Sequence, residues 1–177
     1  MALVVFLRGV NVGRHKRFQP AQLARELPAL DIVSIGAAGT FVVRAPVSQA
    51  TILAALRKRL TFDAHILICR ARDLVDFVET KPFGTLEPAG NEAFFTIMSR
   101  VPRAVPPLPL TEPPGEKWQV KVVVVSGRFV ASRWRRQPGR LIYPNQVIEK
   151  SIGVATTRNW NTVMAICATL SRPITRV

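Results

Sequence analysis

Three stretches of the sequence gather cationic side chains in a way that could hold an anion. The first is Arg8-Gly9-Val10-Asn11-Val12-Gly13-Arg14-His15-Lys16-Arg17, which leaves an apolar run and leads to a helical pattern. Glycines let successive backbone N–H groups converge on an oxyanion, and nearby cations reinforce the attraction. Arg8, Gly9, Asn11, Gly13, Arg14, Lys16 and Arg17 are therefore candidates for contact with a phosphate or a nucleic-acid backbone. The plainer alternative is a tight turn, with glycines at positive φ and Asn11 bonded to its own backbone. A glycine-x4-glycine-lysine-serine/threonine phosphate loop is absent.

The second stretch is Thr156-Thr157-Arg158-Asn159-Trp160-Asn161-Thr162. Thr157 or Asn159 can cap a helix that starts near Trp160, which would put Arg158 beside the positive end of that helix and favour an anion there. Trp160 can stack on a base or pack between the subdomains. The alternative is a polar capping network that fixes the last helix to a sheet.

The third stretch holds Arg128, Arg133, Trp134, Arg135, Arg136 and Arg140. On a strand, Arg133 and Arg135 share one face, and Trp134 and Arg136 the other. Cations interleaved with an aromatic suit single-stranded nucleic acid, through phosphate contacts and stacking. A solvated edge strand that uses charge against aggregation has the same composition.

Other chemistry finds little support. His15 and His65 lack companion ligands, and Cys69 and Cys167 have no paired spacing, so neither a metal nor a cofactor is expected. No nucleophile elbow and no acid/base carboxylate pair stand out, which favours a non-enzymatic role. Gly36-Ala37-Ala38-Gly39-Thr40 lacks a lysine and a following helix, and reads as a hairpin turn.

Charge points the same way as the cationic stretches. The 177 residues carry 25 basic and 11 acidic side chains, a net charge of +14. Residues 1–90 hold 12 basic and 7 acidic (+5), and residues 91–177 hold 13 and 4 (+9). Such a field attracts polyanions without specifying one. At 48% hydrophobic and 20% charged the chain is globular in composition. No apolar run is long enough for a membrane span, and two cysteines cannot build a disulfide framework, so a cytoplasmic protein is expected.

The elements that must position these residues follow from periodicity. Leu3 to Leu7 is a buried strand; Leu23, Leu27 and Leu30 repeat at helical spacing, giving a helix near residues 20–28. Residues 31–35 and 40–44 form a hairpin, Ser48 caps a second helix carrying Ile52, Leu53, Leu56 and Leu60, and residues 65–70 form a fourth strand. That βαββαβ order is ferredoxin-like. A linking helix around Leu74–Val78 ends before Pro82.

The carboxy-terminal half begins with a strand at residues 93–98. Residues 101–115 contain six prolines and read as an extended connector without regular structure. Two strands flank Ser126-Gly127, and helices lie between Pro144 and Gly153 and from Trp160 to Leu170. The expected fold is α+β: two ferredoxin-like subdomains, residues 1–80 and 81–177, with antiparallel sheets and helices packed on one face. The carboxy-terminal subdomain has the pattern of a worn structural echo of the amino-terminal one.

Phe6-Leu7-Arg8-Gly9-Val10-Asn11-Val12-Gly13 resembles the opening L-R-G-I-N-V-G motif of the bacterial family known as domain of unknown function 1697. Thr156-Thr157-Arg158-Asn159-Trp160-Asn161-Thr162-Val163 resembles its closing T-x-R-N-W-N-T-V motif, and Lys81-Pro82-Phe83 stands where the family often has N-P-F. The resemblance implies two ferredoxin-like subdomains and no particular activity. It also marks departures: Ala37-Ala38-Gly39-Thr40 replaces the usual Q-S-G-N, and the proline-rich connector replaces a helix.

Three functional expectations result. The first is a non-enzymatic module for a polyanion, with nucleic acid foremost, using the cations named above. The second is an enzyme on a small phosphorylated substrate, with Arg8, Asn11, Arg158 and Asn159 meeting in a cleft between subdomains. The third is an interaction protein, such as a homo-oligomer joined through a sheet edge.

Overall fold

The computed structural model describes residues 1–10, 18–84 and 92–171. The fold is α+β, with one four-stranded and one five-stranded antiparallel sheet. Two compact units divide the chain: Met1–Val75 with Met164–Val177, and Asp76–Val163.

In the first unit the elements run β1 (Leu3–Arg8), α1 (Pro20–Arg25), β2 (Ile32–Ile35), β3 (Thr40–Val43), α2 (Gln49–Arg59) and β4 (His65–Arg70). The strands lie in the order β2-β3-β1-β4. Alternation along β1 sends Leu3, Val5 and Leu7 to the face where Phe41, Val43 and Ile68 meet Leu23 and Leu27 and, from α2, Ile52 and Leu56. The opposite face, with Val4, Phe6, Thr40, Val42, Leu67 and Cys69, is buried as well. Burial on both faces is why these strands read as continuous apolar runs.

Two local features have identifiable causes. Helix α1 stops at Arg25, short of the expected residue 28, because Pro28 disfavours helical geometry before it and opens a 3₁₀ turn, Pro28–Leu30. At the β2–β3 hairpin, Ile35 pairs with Thr40, and Gly39 sits at φ +69°. A Cβ there would lie 2.8 Å from Val10 Cγ2 and 2.9 Å from Leu7 Cβ, so glycine is required both by conformation and by close approach. The Gly39 carbonyl accepts from the Leu7 N–H at 2.8 Å. Ser48 caps α2 as expected, its Oγ accepting from the Thr51 N–H at 3.1 Å.

Helix α3 (Ala71–Glu79) starts directly from the end of β4 and carries the chain out of the first unit after Val75. The second unit contains β5 (Ala93–Met98), β6 (Leu110–Glu112), β7 (Val120–Ser126), β8 (Phe129–Trp134), α4 (Pro144–Ser151), β9 (Ala155–Asn159) and the start of α5 (Trp160–Leu170). Its strand order is β6-β7-β8-β5-β9. Without β6 this is β7-β8-β5-β9, the spatial order of the first sheet, with α4 in the place of α2 and α5 springing from β9 as α3 does from β4. Residues 164–170 of α5 belong to the first unit, where Arg44 Nη2 donates to the Thr169 carbonyl at 3.1 Å.

Two expectations for this half need correction. The proline-rich connector is not wholly irregular: Leu110–Glu112 pairs with β7, its flanking Pro109 and Pro113 being tolerated because β6 is an edge strand. Residues 155–159 are a strand paired with β5, not only a capping segment. One face of the sheet packs Met98, Val122, Val130 and Ala155 against Ile148 of α4. The other holds Phe95 and Phe129, which meet Phe77 of α3 at ring separations of 5.9 and 5.5 Å. Among the described residues no helix is long and apolar enough to cross a membrane.

Candidate functional site

The strongest convergence of cations in the second unit is built on the β7–β8 hairpin. Gly127, at φ +55°, turns the chain, and the register brings Lys121 directly opposite Arg133. Like charges at opposite positions of an antiparallel pair are unfavourable. Neither side chain has a carboxylate within ion-pairing distance among the described residues.

Aromatic faces hold these cations instead. The Arg133 guanidinium lies 5.9 Å from the centroid of Phe83. The Lys121 ammonium lies 5.8 Å from that of Trp118, and the Arg135 guanidinium only 4.0 Å. Arg135 also donates from Nε to the Trp118 carbonyl at 2.6 Å, and its own N–H reaches the Gln119 carbonyl at 2.9 Å, so the ladder runs one residue past β8. Arg133, Arg135, Lys121 and Trp118 are all half-buried. Each cation–aromatic contact of this kind contributes about 0.5–1 kcal/mol or more as it is desolvated.

Trp134 faces away from Arg133 and Arg135, as strand parity requires. It is stacked on Tyr143 at 5.7 Å and 10°, with its indole N–H donated to the Ile142 carbonyl at 2.7 Å. Trp118 is the aromatic at the cationic face. Its nearness to two cations follows from pairing across β7 and β8, which no local spacing announces. Arg128 is turned to the backbone, donating from Nε to the Met98 carbonyl at 2.8 Å, and Arg136 and Arg140 are exposed.

The closing stretch contributes support from below. Trp160 is buried and meets Phe83 edge-on at 4.9 Å, so a continuous line of contact runs Trp160, Phe83, Arg133. Asn159 caps α5: its Oδ1 accepts from the Thr162 N–H at 2.9 Å and from the Thr162 hydroxyl at 2.8 Å. Thr157 shares a 2.8 Å hydroxyl hydrogen bond with Thr96 across the strand pair. Arg158 is only 8% exposed and donates from Nη1 to Thr156 Oγ1 at 3.0 Å and to the Thr157 carbonyl at 2.8 Å. Burial pulls its pKa well below the ordinary guanidinium value, to about 10. Arg158 and Trp160 thus lie inside the unit, where a surface contact was one expectation.

Of the opening stretch, Arg8 ends β1 opposite His65, and Gly9 turns the chain at φ +71°. Asn11, Gly13, Arg14, Lys16 and Arg17 lie outside the described residues, and so does the part of the supposed shared cleft that Asn11 would supply. Among the described residues no three His, Cys, Asp or Glu side chains gather as metal ligands would.

Comparison with known proteins adds a family and a fold. A family model described as "Protein of unknown function (DUF1697)" matches residues 1–125. A solved structure of the conserved bacterial protein SP0830 from Streptococcus pneumoniae aligns with a TM-score of 0.58 at 16% identity, covering 96% of this chain and 98% of that one. At that identity the likeness is one of fold. Among curated proteins none matches.

Proposed function

The chain belongs to that family, whose description names no activity, and from its own geometry we propose that it is a non-enzymatic binding module for single-stranded nucleic acid. The observation that carries the reading is the Lys121–Arg133 pair, opposed on one face with Arg135 stacked on Trp118 and no carboxylate among the described residues to neutralise them. A phosphate between Lys121 and Arg133 relieves their repulsion. A base laid on the Arg135 guanidinium extends the Arg135–Trp118 stack, a mode that tolerates every base because each has a π-face. The net charge of +14 supplies long-range attraction. The matching strand orders of the two sheets support reading both units as ferredoxin-like.

The test is fluorescence anisotropy with labelled single- and double-stranded oligonucleotides across a salt series. Two to three phosphate contacts predict a log–log salt slope of roughly −1.4 to −2 for single strands, at about −0.7 per phosphate. Absence of binding at low salt overturns the reading.

A further inference from the structure

On the α4 side of the second sheet, a cleft of about 380 Å³ opens among β6, the 140–142 segment and α4. Its lining combines Glu112, Arg140 and Lys150 with the apolar Leu141, Ile142 and Val147. That volume falls at the lower end of the range for small-molecule sites, which pair an apolar lining with a few polar groups.

The rim is braced from within. Gln119, only 6% exposed, uses both ends of its amide: Nε2 donates to the Arg140 carbonyl at 2.9 Å, and Oε1 accepts from the Ile142 N–H at 3.0 Å. Trp134 holds the Ile142 carbonyl from the sheet, and Tyr143 N–H donates to Gln146 Oε1 at 3.0 Å, fixing the first turn of α4. A segment pinned by a buried amide and an indole presents its side chains without much ordering on binding, which favours affinity.

The charges that line this braced cleft are left without counterions. Glu112, Arg140 and Lys150 form no ion pair with one another or with any other described residue. One carboxylate and two cations around an apolar floor match a ligand with charge of both signs better than a simple anion, which Glu112 would repel.

We propose that this cleft binds a small zwitterion, whose ammonium group meets Glu112 and whose oxyanion meets Arg140 and Lys150, with its apolar portion on Leu141, Ile142 and Val147. The oxyanion is a carboxylate or a phosphate. The site is independent of the cationic face, since Glu112 and α4 belong to the other side of the sheet from Lys121 and Arg133.

The experiment is a ¹⁵N–¹H NMR titration of the full chain with four probes: alanyl-leucine, its N-acetyl form, its C-terminal amide and O-phosphoethanolamine. Alanyl-leucine or phosphoethanolamine, or both, should shift amides at residues 110–112 and 140–151 saturably, with at least tenfold weaker binding of the two blocked dipeptides if carboxylate is the anion recognised. Glu112→Gln should weaken the zwitterion at least tenfold and strengthen the N-acetyl form, which Glu112 repels, while Lys150→Gln should weaken every probe bearing an oxyanion. Both positions lie on the cleft rim outside the hydrophobic core, and thermal melts establish that each variant folds. No saturable shift from either zwitterion, or shifts that Glu112→Gln leaves untouched, overturns the assignment. Oligonucleotide binding by the same variants should match wild type, so failure here and failure of the nucleic-acid reading are read separately.

Discussion

Lys121 and Arg133 stand directly opposite each other across β7 and β8, two positive charges in register with no described carboxylate to separate them. An opposed like-charge pair lowers stability, whereas an opposite-charge pair raises it by about 0.2–1 kcal/mol. Lys121→Glu should therefore stabilise the protein in urea denaturation by up to about 1 kcal/mol. The same change should reduce single-strand affinity at least tenfold in anisotropy. A variant that loses both stability and affinity would show that the pair is structural.

Trp118→Ala separates stacking from charge. The Arg135 guanidinium loses the ring 4.0 Å beneath it but keeps its charge. Single-strand affinity should fall by about 1–3 kcal/mol, the usual contribution of one stacked base, while duplex affinity changes much less. Equal losses on both substrates would argue against stacking.

Arg158 gives a pH signature. Its folded-state pKa of about 10 lies well below that of an ordinary guanidinium, so above pH 10 the native state releases a proton that the unfolded chain retains. The unfolded state then binds more protons, and this group's contribution to stability rises as pH climbs above about 10; below pH 10 its desolvation cost is constant. Urea midpoints of wild type and Arg158→Met, compared from pH 8 to pH 11, should diverge in favour of wild type above pH 10. A constant gap across that range contradicts the assignment.

Gly39→Ala meets Val10 and Leu7 under 3 Å and a left-handed backbone at once, whereas Gly36→Ala, at φ +62°, meets open space. The first should cost several kcal/mol, and the second about 1–2 kcal/mol from backbone conformation alone. Thermal melts of the two variants check the order.

Ser132 is fully buried, and its hydroxyl has no hydrogen-bond partner among the described residues. Ser132→Ala removes an unsatisfied polar atom without opening a large cavity, and should stabilise by about 1–2 kcal/mol. A loss of stability would reveal a partner for that oxygen.

Much of this architecture is legible in the order of residues, for reasons that particular elements make plain. Leu3–Leu7 and Thr40–Val43 are short, nearly unbroken apolar runs, so their strands are legible locally, whereas of the Leu23, Leu27, Leu30 series only Leu23 lies in α1. β9 is hidden because Thr156, Thr157 and Asn159 suit both a cap and a strand; Asn159 in fact ends β9 and caps α5 together. Two β-branched threonines in succession are the available signal. β6 is hidden by its prolines, which exclude a central strand but not an edge. The site is half legible: Arg133 and Arg135 share a face by strand parity, but Trp118 comes to them only through long-range pairing, and Trp134 is claimed by Tyr143.

The return of α5 to the first unit has a consequence for biogenesis. Residues 76–163 are contiguous and can complete their unit as soon as they leave the ribosome. The strands of the amino-terminal sheet pair among themselves, but the Arg44 hydrogen bond to the Thr169 carbonyl spans 125 positions and forms only once residues 164–170 are present. One polar link of the first unit thus waits on residues made after the whole of the second unit.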